Sequence, residues 1–472
     1  MNKNKKIIII GCGDAGISAL LTIQRMSKNA DITLIEKEGL FYPRCPLPFI
    51  IGGEIIGTRK IVKKIKDMFS NTDINVVCDT VLSINPEKNT VQTKNQEFEY
   101  DYLVLATGAS SFIPPIKGTH LSGVYTLRTI NDTKEIMKRI VDSESAVVIG
   151  AGAIGLEIAS SFKNHDLDVT VIEVMDHIMC GAFDPKFSQS IEDYLKEKGI
   201  NILTGAMVNE ITERQYRKGV VGGLIVDRKF IPADIVILST GIRANSELAE
   251  DAGIKVSKHG ILTNEMMQTS VPNIYACGDC VEIKEILTDK KVQSGYGTQA
   301  DREGHVAGVN ISGSHGTFDG TLNSVITKIM DLEVGRTGLT EKEAVGAGYE
   351  TVVGSVKCKT KPDYYPGAKD FWMNLVFDVE SERLVGAQIA GGEDVVGYVN
   401  LASMAIQKEN TLLDTIKFKY SYAPPICSAP SPFVTAAENA YKKLERLKKM
   451  KERKRNENNG KIKKQDKKEV KK

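Results

Sequence analysis

One local pattern occurs twice in this chain and constrains its fold more than any bulk property. Residues 7–16 read IIIIGCGDAG, and ISALLTIQRM follows with helical spacing. The next apolar segment, DITLIE, ends in Glu36. A short strand thus runs into Gly11-x-Gly13-x-x-Gly16, then a helix, then a second strand closed by an acid. The pattern returns as AVVIGAGAIGLEIA, with Gly150, Gly152 and Gly155, followed by DVTVIE and Glu173. In each copy the first glycine allows a tight turn, the second lets the backbone approach a pyrophosphate, and the third lets the helix pack on the strand. The phosphates then meet free N–H groups at a helix N-terminus. One such motif is weak evidence; two, each in strand–helix–strand–acid context, define two dinucleotide sites. The first comprises Gly11, Gly13, Asp14, Ala15, Gly16 and Glu36, the second Gly150, Gly152, Ile154, Gly155 and Glu173. Glu173 is followed by Val174, Met175 and Asp176 without a basic residue. A 2′-phosphate would meet acid there, so the second site favours NADH over NADPH.

A chain of 472 residues exceeds one hydrophobic core, so two or three domains are expected. Net charge is +2, but residues 441–472 alone hold sixteen Lys/Arg against five Asp/Glu, which leaves the rest near −9. An acidic body does not suit nucleic acid. The tail from 444 lacks apolar periodicity and is expected to be a basic disordered segment, 444–472. No apolar run approaches the ~20 residues of a membrane span, and IIII is too short for a signal core. Eight scattered cysteines form no disulfide framework, so the expected compartment is the cytoplasm.

Further motifs resemble those of the pyridine nucleotide-disulfide oxidoreductases. YDYLVLATGA carries Ala106, Thr107 and Gly108; ILSTGIRANSEL carries Gly241; SVPNIYACGDC carries Gly278 and Asp279; GLEIA carries Glu157. The resemblance covers about residues 5–443. It implies FAD in the first site, with Asp279 on its ribityl chain, and nicotinamide near Glu157. It also implies an α/β fold of two Rossmann-like dinucleotide-binding domains plus a C-terminal α+β dimerisation domain. The expected boundaries are 1–118 and 246–322 for FAD, 119–245 for NAD(P)H, and 323–443 for an interface that pairs a homodimer.

Most members place Cys-x4-Cys beside the flavin. Here FYPRCPLPFIIGG has one cysteine, Cys45, and Ile50 stands where a second would be. CPLPFIIGG is similar to the single-cysteine branch: coenzyme A-disulfide reductases, NADH oxidases, NADH peroxidases and related sulfur reductases. A lone thiol takes electrons as a mixed disulfide or a sulfenic acid. Pro46 and Pro48 suit a helix start just after Cys45, and Arg44 adds a positive charge; both are expected to lower the thiol pKa. Arg44 is also a candidate cofactor contact. Cys277 and Cys280 form a C-x-x-C around Asp279, but without a second such pair they read as structural, and no metal site is expected.

Peroxidases and water-forming oxidases of the branch resemble G-x-x-H at the first loop. Here that residue is Asp14, which does not reproduce histidine's switching near pH 7. DYYPGAKD and YSYAPPICSAPSP resemble the tyrosine-bearing segments of coenzyme A-disulfide reductases, in which partner-subunit tyrosines stand over the cysteine. Tyr422 matches one position; Tyr364 or Tyr365 matches the other, with Tyr365, next to Pro366, preferred. The expected activity passes electrons from NADH through FAD to Cys45 and on to a small disulfide or persulfide such as coenzyme A disulfide. The alternatives are an NADH oxidase reducing O2 and, from another class, a flavin-based redox sensor.

Overall fold

The computed structural model describes residues 4–469, with side chains through residue 456. Two compact units form. The first is the chain up to Cys180 together with Ser188–Thr321; the second is Gly181–Phe187 with the chain from Leu322.

The first unit contains the repeated pattern as two parallel sheets of identical plan. One has the order Ile274–Ala276, Tyr102–Leu105, Lys5–Ile10, Ala30–Ile35, Asn75–Val77. The other has the order Val124–Tyr125, Ile235–Leu238, Ser145–Ile149, Asp168–Ile172, Ile200–Leu203. Both central strands are buried along their apolar runs, Ile7–Ile10 and Ala146–Ile149, as expected for parallel strands covered on both faces. Each glycine turn follows its central strand, where the strand order changes direction and α/β sheets bind ligands.

The helices after the turns start at the second glycine. Gly13 caps Asp14–Met26 and Gly152 caps Ala153–Lys163. A third helix, Gly297–Ile311, lies on the first through small residues. A methyl at Gly304 would fall 2.1 Å from the Ala15 carbonyl oxygen, and one at Gly308 2.7 Å from Thr22 Cβ. The two sheets are stitched where Ala109–Ser111 pairs antiparallel with Ile242–Ala244. Beside that ladder, Thr107 Oγ1 donates to the Asn245 carbonyl at 2.7 Å, and Asn245 Nδ2 donates back to the Thr107 carbonyl at 2.9 Å.

The second unit is α+β. Its five-stranded antiparallel sheet runs Val325–Ile329, Leu332–Gly338, Leu384–Gly391, Asp370–Asp378, Thr351–Lys359. The helices Val395–Gln407 and Pro432–Glu469 pack on it.

Two stretches bear on the boundaries expected from the sequence. Gly181–Phe187 falls within the sequence-based NAD(P)H boundaries but belongs to the second unit. Asp184 accepts there from the Glu341 and Lys342 N–H groups, at 2.9 and 3.1 Å, and Arg336 Nη1 donates to the Gly181 carbonyl at 2.8 Å. The stretch from 444, expected to be disordered, continues the helix Pro432–Glu469. Its Lys, Glu, Arg and Leu residues are strong helix formers, and Lys448 and Lys451 reach Glu382 and Glu350 in ion pairs. Residues 470–472 lie outside the described residues. Among those described, no helix is long and apolar enough to cross a membrane.

Candidate active site

The two nucleotide sites repeat each other in detail. At the first, Gly11 has φ +99°, and a methyl there would lie 2.2 Å from the Ala106 carbonyl oxygen. A methyl at Gly16 would lie 2.0 Å from the Gly11 carbonyl oxygen. Glu36 accepts from the Cys12 N–H at 3.0 Å and the Glu38 N–H at 3.2 Å. At the second, Gly150 has φ +103°, with a methyl 2.3 Å from the Ser239 carbonyl oxygen, and a methyl at Gly155 would lie 2.1 Å from that of Gly150. Glu173 accepts from the Ala151 N–H at 2.8 Å and the Met175 N–H at 2.9 Å. The acid closing the second strand therefore braces the glycine turn of the first.

The middle glycines face outward. A methyl at Gly152 or Gly241 would meet no protein atom within 4 Å, and one at Gly13 only Arg44 Nη1, at 3.8 Å. Backbone that a ligand can approach closely, ahead of a helix N-terminus, fits a dinucleotide at both sites. Ile154, Val174 and Met175 are exposed beside the second.

Asp279 lies at the first site, following Gly278 (φ +84°). Arg128 Nη2 donates to its Oδ2 at 2.6 Å, both side chains being largely buried, and Arg128 Nε donates to the Ala109 carbonyl at 3.1 Å. Behind the turn, the Gly278 N–H donates to Glu303 Oε2 at 2.6 Å, and the Ser294 hydroxyl donates to Glu303 Oε1 at 2.8 Å. Glu303 is fully buried, and loss of water raises its pKa to about 8, so it is mostly protonated at neutral pH. Sequence reasoning missed both residues. Glu303 carried a signal: it lies with Ala300, Gly304, Ala307 and Ile311 on the buried stripe of its helix. Arg128 carried none.

Cys45 stands just before the short helix Leu47–Ile51, whose Leu47 and Ile50 pack in an apolar cluster with Tyr42 and Ile130. The far end of that helix is pinned to the second nucleotide helix. Ser161 Oγ donates to the Pro48 carbonyl at 2.7 Å, and Asn164 Nδ2 to the Gly52 carbonyl at 3.1 Å. The thiol thus sits at the junction of the two nucleotide-binding halves.

Its electrostatics are opposite to expectation. Although the residue is exposed, desolvation of the thiol raises its pKa, and the Asp14, Glu157 and Asp279 carboxylates raise it further. A helix of five residues has little dipole to offset this. Arg44 turns toward the first site instead: its Nη1 would lie 3.8 Å from a methyl at Gly13 and 3.9 Å from one at Gly108, and its charge acts on Asp14. Cys277 and Cys280 are fully buried, and burial raises both thiols, Cys280 to about 11.

In the second unit, the Tyr422 hydroxyl lies 3.3 Å from that of Tyr364, not Tyr365, and this contact raises the Tyr422 pKa. The Tyr365 N–H donates to the Pro362 carbonyl at 2.8 Å.

Residues 5–301 match the pyridine nucleotide-disulphide oxidoreductase family, and residues 325–431 match its dimerisation domain. An NADH oxidase of Methanocaldococcus jannaschii is 40% identical over 93% of this chain and 99% of its own. A CoA-dependent NAD(P)H sulfur oxidoreductase of Pyrococcus furiosus is 35% identical over 92% and 99%. The structure of an NAD-dependent persulfide reductase from A. fulgidus superposes with a TM-score of 0.89 at 34% identity, over 94% of this chain and 84% of that one. The chain belongs to the pyridine nucleotide-disulfide oxidoreductases. It is an FAD-dependent NAD(P)H oxidoreductase of the group that includes NADH oxidases, coenzyme A-disulfide reductases and persulfide reductases.

Proposed function

We propose that this enzyme reduces a low-molecular-weight disulfide or persulfide of the coenzyme A kind, at the expense of NADH, as a cytoplasmic homodimer. The observation that carries this is the single thiol Cys45 at the junction of the two dinucleotide sites, among carboxylates from both. Gly11, Gly13, Gly16, Glu36, Arg44 and Asp279 would hold FAD; Gly150, Gly152, Gly155 and Glu173 would hold NADH. FAD, when bound, takes a hydride from nicotinamide and delivers two electrons to a disulfide.

The Cys45 thiolate attacks one sulfur of the substrate disulfide, forms a mixed disulfide and expels the other sulfur as a thiol. Two electrons and a proton then cleave the mixed disulfide, returning Cys45 and releasing the second thiol. Desolvation and the carboxylates of Asp14, Glu157 and Asp279 disfavour the thiolate, so they favour the uncharged mixed disulfide as the resting adduct. By the family resemblance, Tyr422 and Tyr365 of a partner copy are the candidate proton donors to the leaving sulfur, with Tyr364, whose hydroxyl lies 3.3 Å from that of Tyr422, as the alternative to Tyr365. The second reading, an NADH oxidase, is favoured by the relative of that name at 40% identity. Asp14 at the first loop, where a histidine would be expected for oxygen chemistry, weighs against it.

The deciding experiment is anaerobic NADH consumption by the FAD-loaded enzyme, with and without coenzyme A disulfide, beside Cys45→Ser. Turnover that needs both the disulfide and Cys45 supports the reductase. Turnover only after air is admitted supports the oxidase.

A further inference from the structure

The loop leaving the second nucleotide site carries a feature that the activity does not use. Asp176, His177 and Cys180 each present one ligand atom, and these atoms lie within 4.8 Å of one another. His177 is buried, at 5% exposure; Cys180 is half-buried and Asp176 exposed. We propose that the three side chains form a binding site for a divalent transition-metal ion of the zinc class.

The donor set selects the ion. One imidazole nitrogen, one thiolate and one carboxylate suit Zn2+ and its first-row neighbours, whereas Mg2+ and Ca2+ require oxygen ligands throughout. A neutral imidazole with two anionic donors neutralises a dication. Three protein ligands leave a fourth position for water. Bond lengths of about 2.3 Å to sulfur and 2.0–2.1 Å to nitrogen and oxygen place tetrahedral donors roughly 3.3–3.7 Å apart. The cluster therefore tightens slightly around an ion, and the Asp176 Oδ1–His177 Nδ1 contact, 2.5 Å in this structure, opens. That motion falls on Asp176, which is exposed and can rotate, while buried His177 stays in place.

The backbone brings the ligands together. His177-x-x-Cys180 has the close spacing of metal-binding loops, and Met179, between them, has φ +50°. The Met179 N–H donates to the Ala151 carbonyl at 2.8 Å. Ala151 is the middle of the second glycine turn, and its own N–H is taken by Glu173. The metal loop thus shares a residue with the nucleotide turn. Binding proceeds with loss of the Cys180 thiol proton, so affinity rises with pH.

The test uses the FAD-loaded, full-length enzyme stripped with a chelator and dialysed against Zn2+, with Co2+ as spectroscopic probe. The expected result is one ion per chain, with cobalt ligand-field absorption beyond the flavin bands, and protection of Cys180 from alkylation seen by peptide mapping. Cys180→Ser and Asp176→Asn, checked for folding by their FAD content, should each weaken Zn2+ binding at least about tenfold. Cys45→Ser should leave it unchanged. Binding of equal stoichiometry and affinity in Cys180→Ser, or no bound ion in the unaltered enzyme, overturns the proposal.

Discussion

Replacing Glu303 by glutamine should stabilise the protein by an amount that grows as pH rises above about 5 and is largest on the alkaline side. Glu303 is fully buried beneath the turn that carries Asp279, with its pKa raised from 4.5 to about 8. An acid whose folded pKa is raised binds its proton more tightly in the folded state. Its penalty is absent below the unfolded pKa, grows as pH rises, and is complete above about 8. The interval from 4.5 to about 8, at about 1.4 kcal/mol per decade, amounts to about 5 kcal/mol, of which about 3 kcal/mol is developed at pH 7. Glutamine keeps the shape and both contacts: its carbonyl accepts from the Gly278 N–H, and its amide donates to Ser294 Oγ. The assay is the apparent melting temperature of Glu303→Gln against the parent from pH 5 to pH 9 at saturating FAD. The two should nearly coincide at pH 5 and diverge by several degrees at pH 9, the variant higher. A gap independent of pH, or a variant less stable at pH 9, would refute the reasoning.

Gly11→Ala should abolish FAD binding, because its methyl meets the Ala106 carbonyl and its backbone is left-handed. Gly152→Ala should melt like the parent but raise the KM for NADH, since its methyl enters space that only a ligand would fill. Arg128→Met leaves the largely buried Asp279 without its guanidinium; unfolding experiments should show a loss of about 2–4 kcal/mol and earlier FAD release. In cofactor-free protein, Cys45 should alkylate with a pH midpoint above the ordinary ~8.5 of a thiol, and Asp14→Asn should lower that midpoint. Iodoacetamide rates followed by mass spectrometry check both.

The parts of this enzyme legible in its sequence are those set by backbone rules over short distances. A four-residue apolar strand, a glycine turn and a helix leave one arrangement, and the acid after the next strand falls beside the turn because parallel neighbours place it there. The thiol's surroundings were not legible in that way. Arg44 is adjacent to Cys45 in sequence but directed to the glycine loop, whereas Glu157, more than a hundred residues away, bears on the thiol through the docking of two helices. The Arg128–Asp279 pair joins residues 151 positions apart and leaves no local trace. The Tyr364–Tyr422 hydroxyl contact likewise joins residues 58 positions apart, and local spacing does not encode it. The two lysine–glutamate contacts along the last helix, Lys448–Glu382 and Lys451–Glu350, also join distant residues and leave no periodic trace in the sequence.

The glycine seam between the Asp14–Met26 and Gly297–Ile311 helices has a kinetic consequence. With Gly304 against the Ala15 carbonyl and Gly308 against Thr22, the two helices approach closely, and Ser18 and Thr22 bond across the seam to the Asp301 carbonyl and His305. Neither helix can slide or tilt without a backbone collision. The helix start at Gly13 is consequently held in one orientation by protein packing alone. Capture of the flavin's pyrophosphate then requires no closing motion, and the rate of reconstitution is expected to follow cofactor encounter rather than a slow rearrangement of the protein.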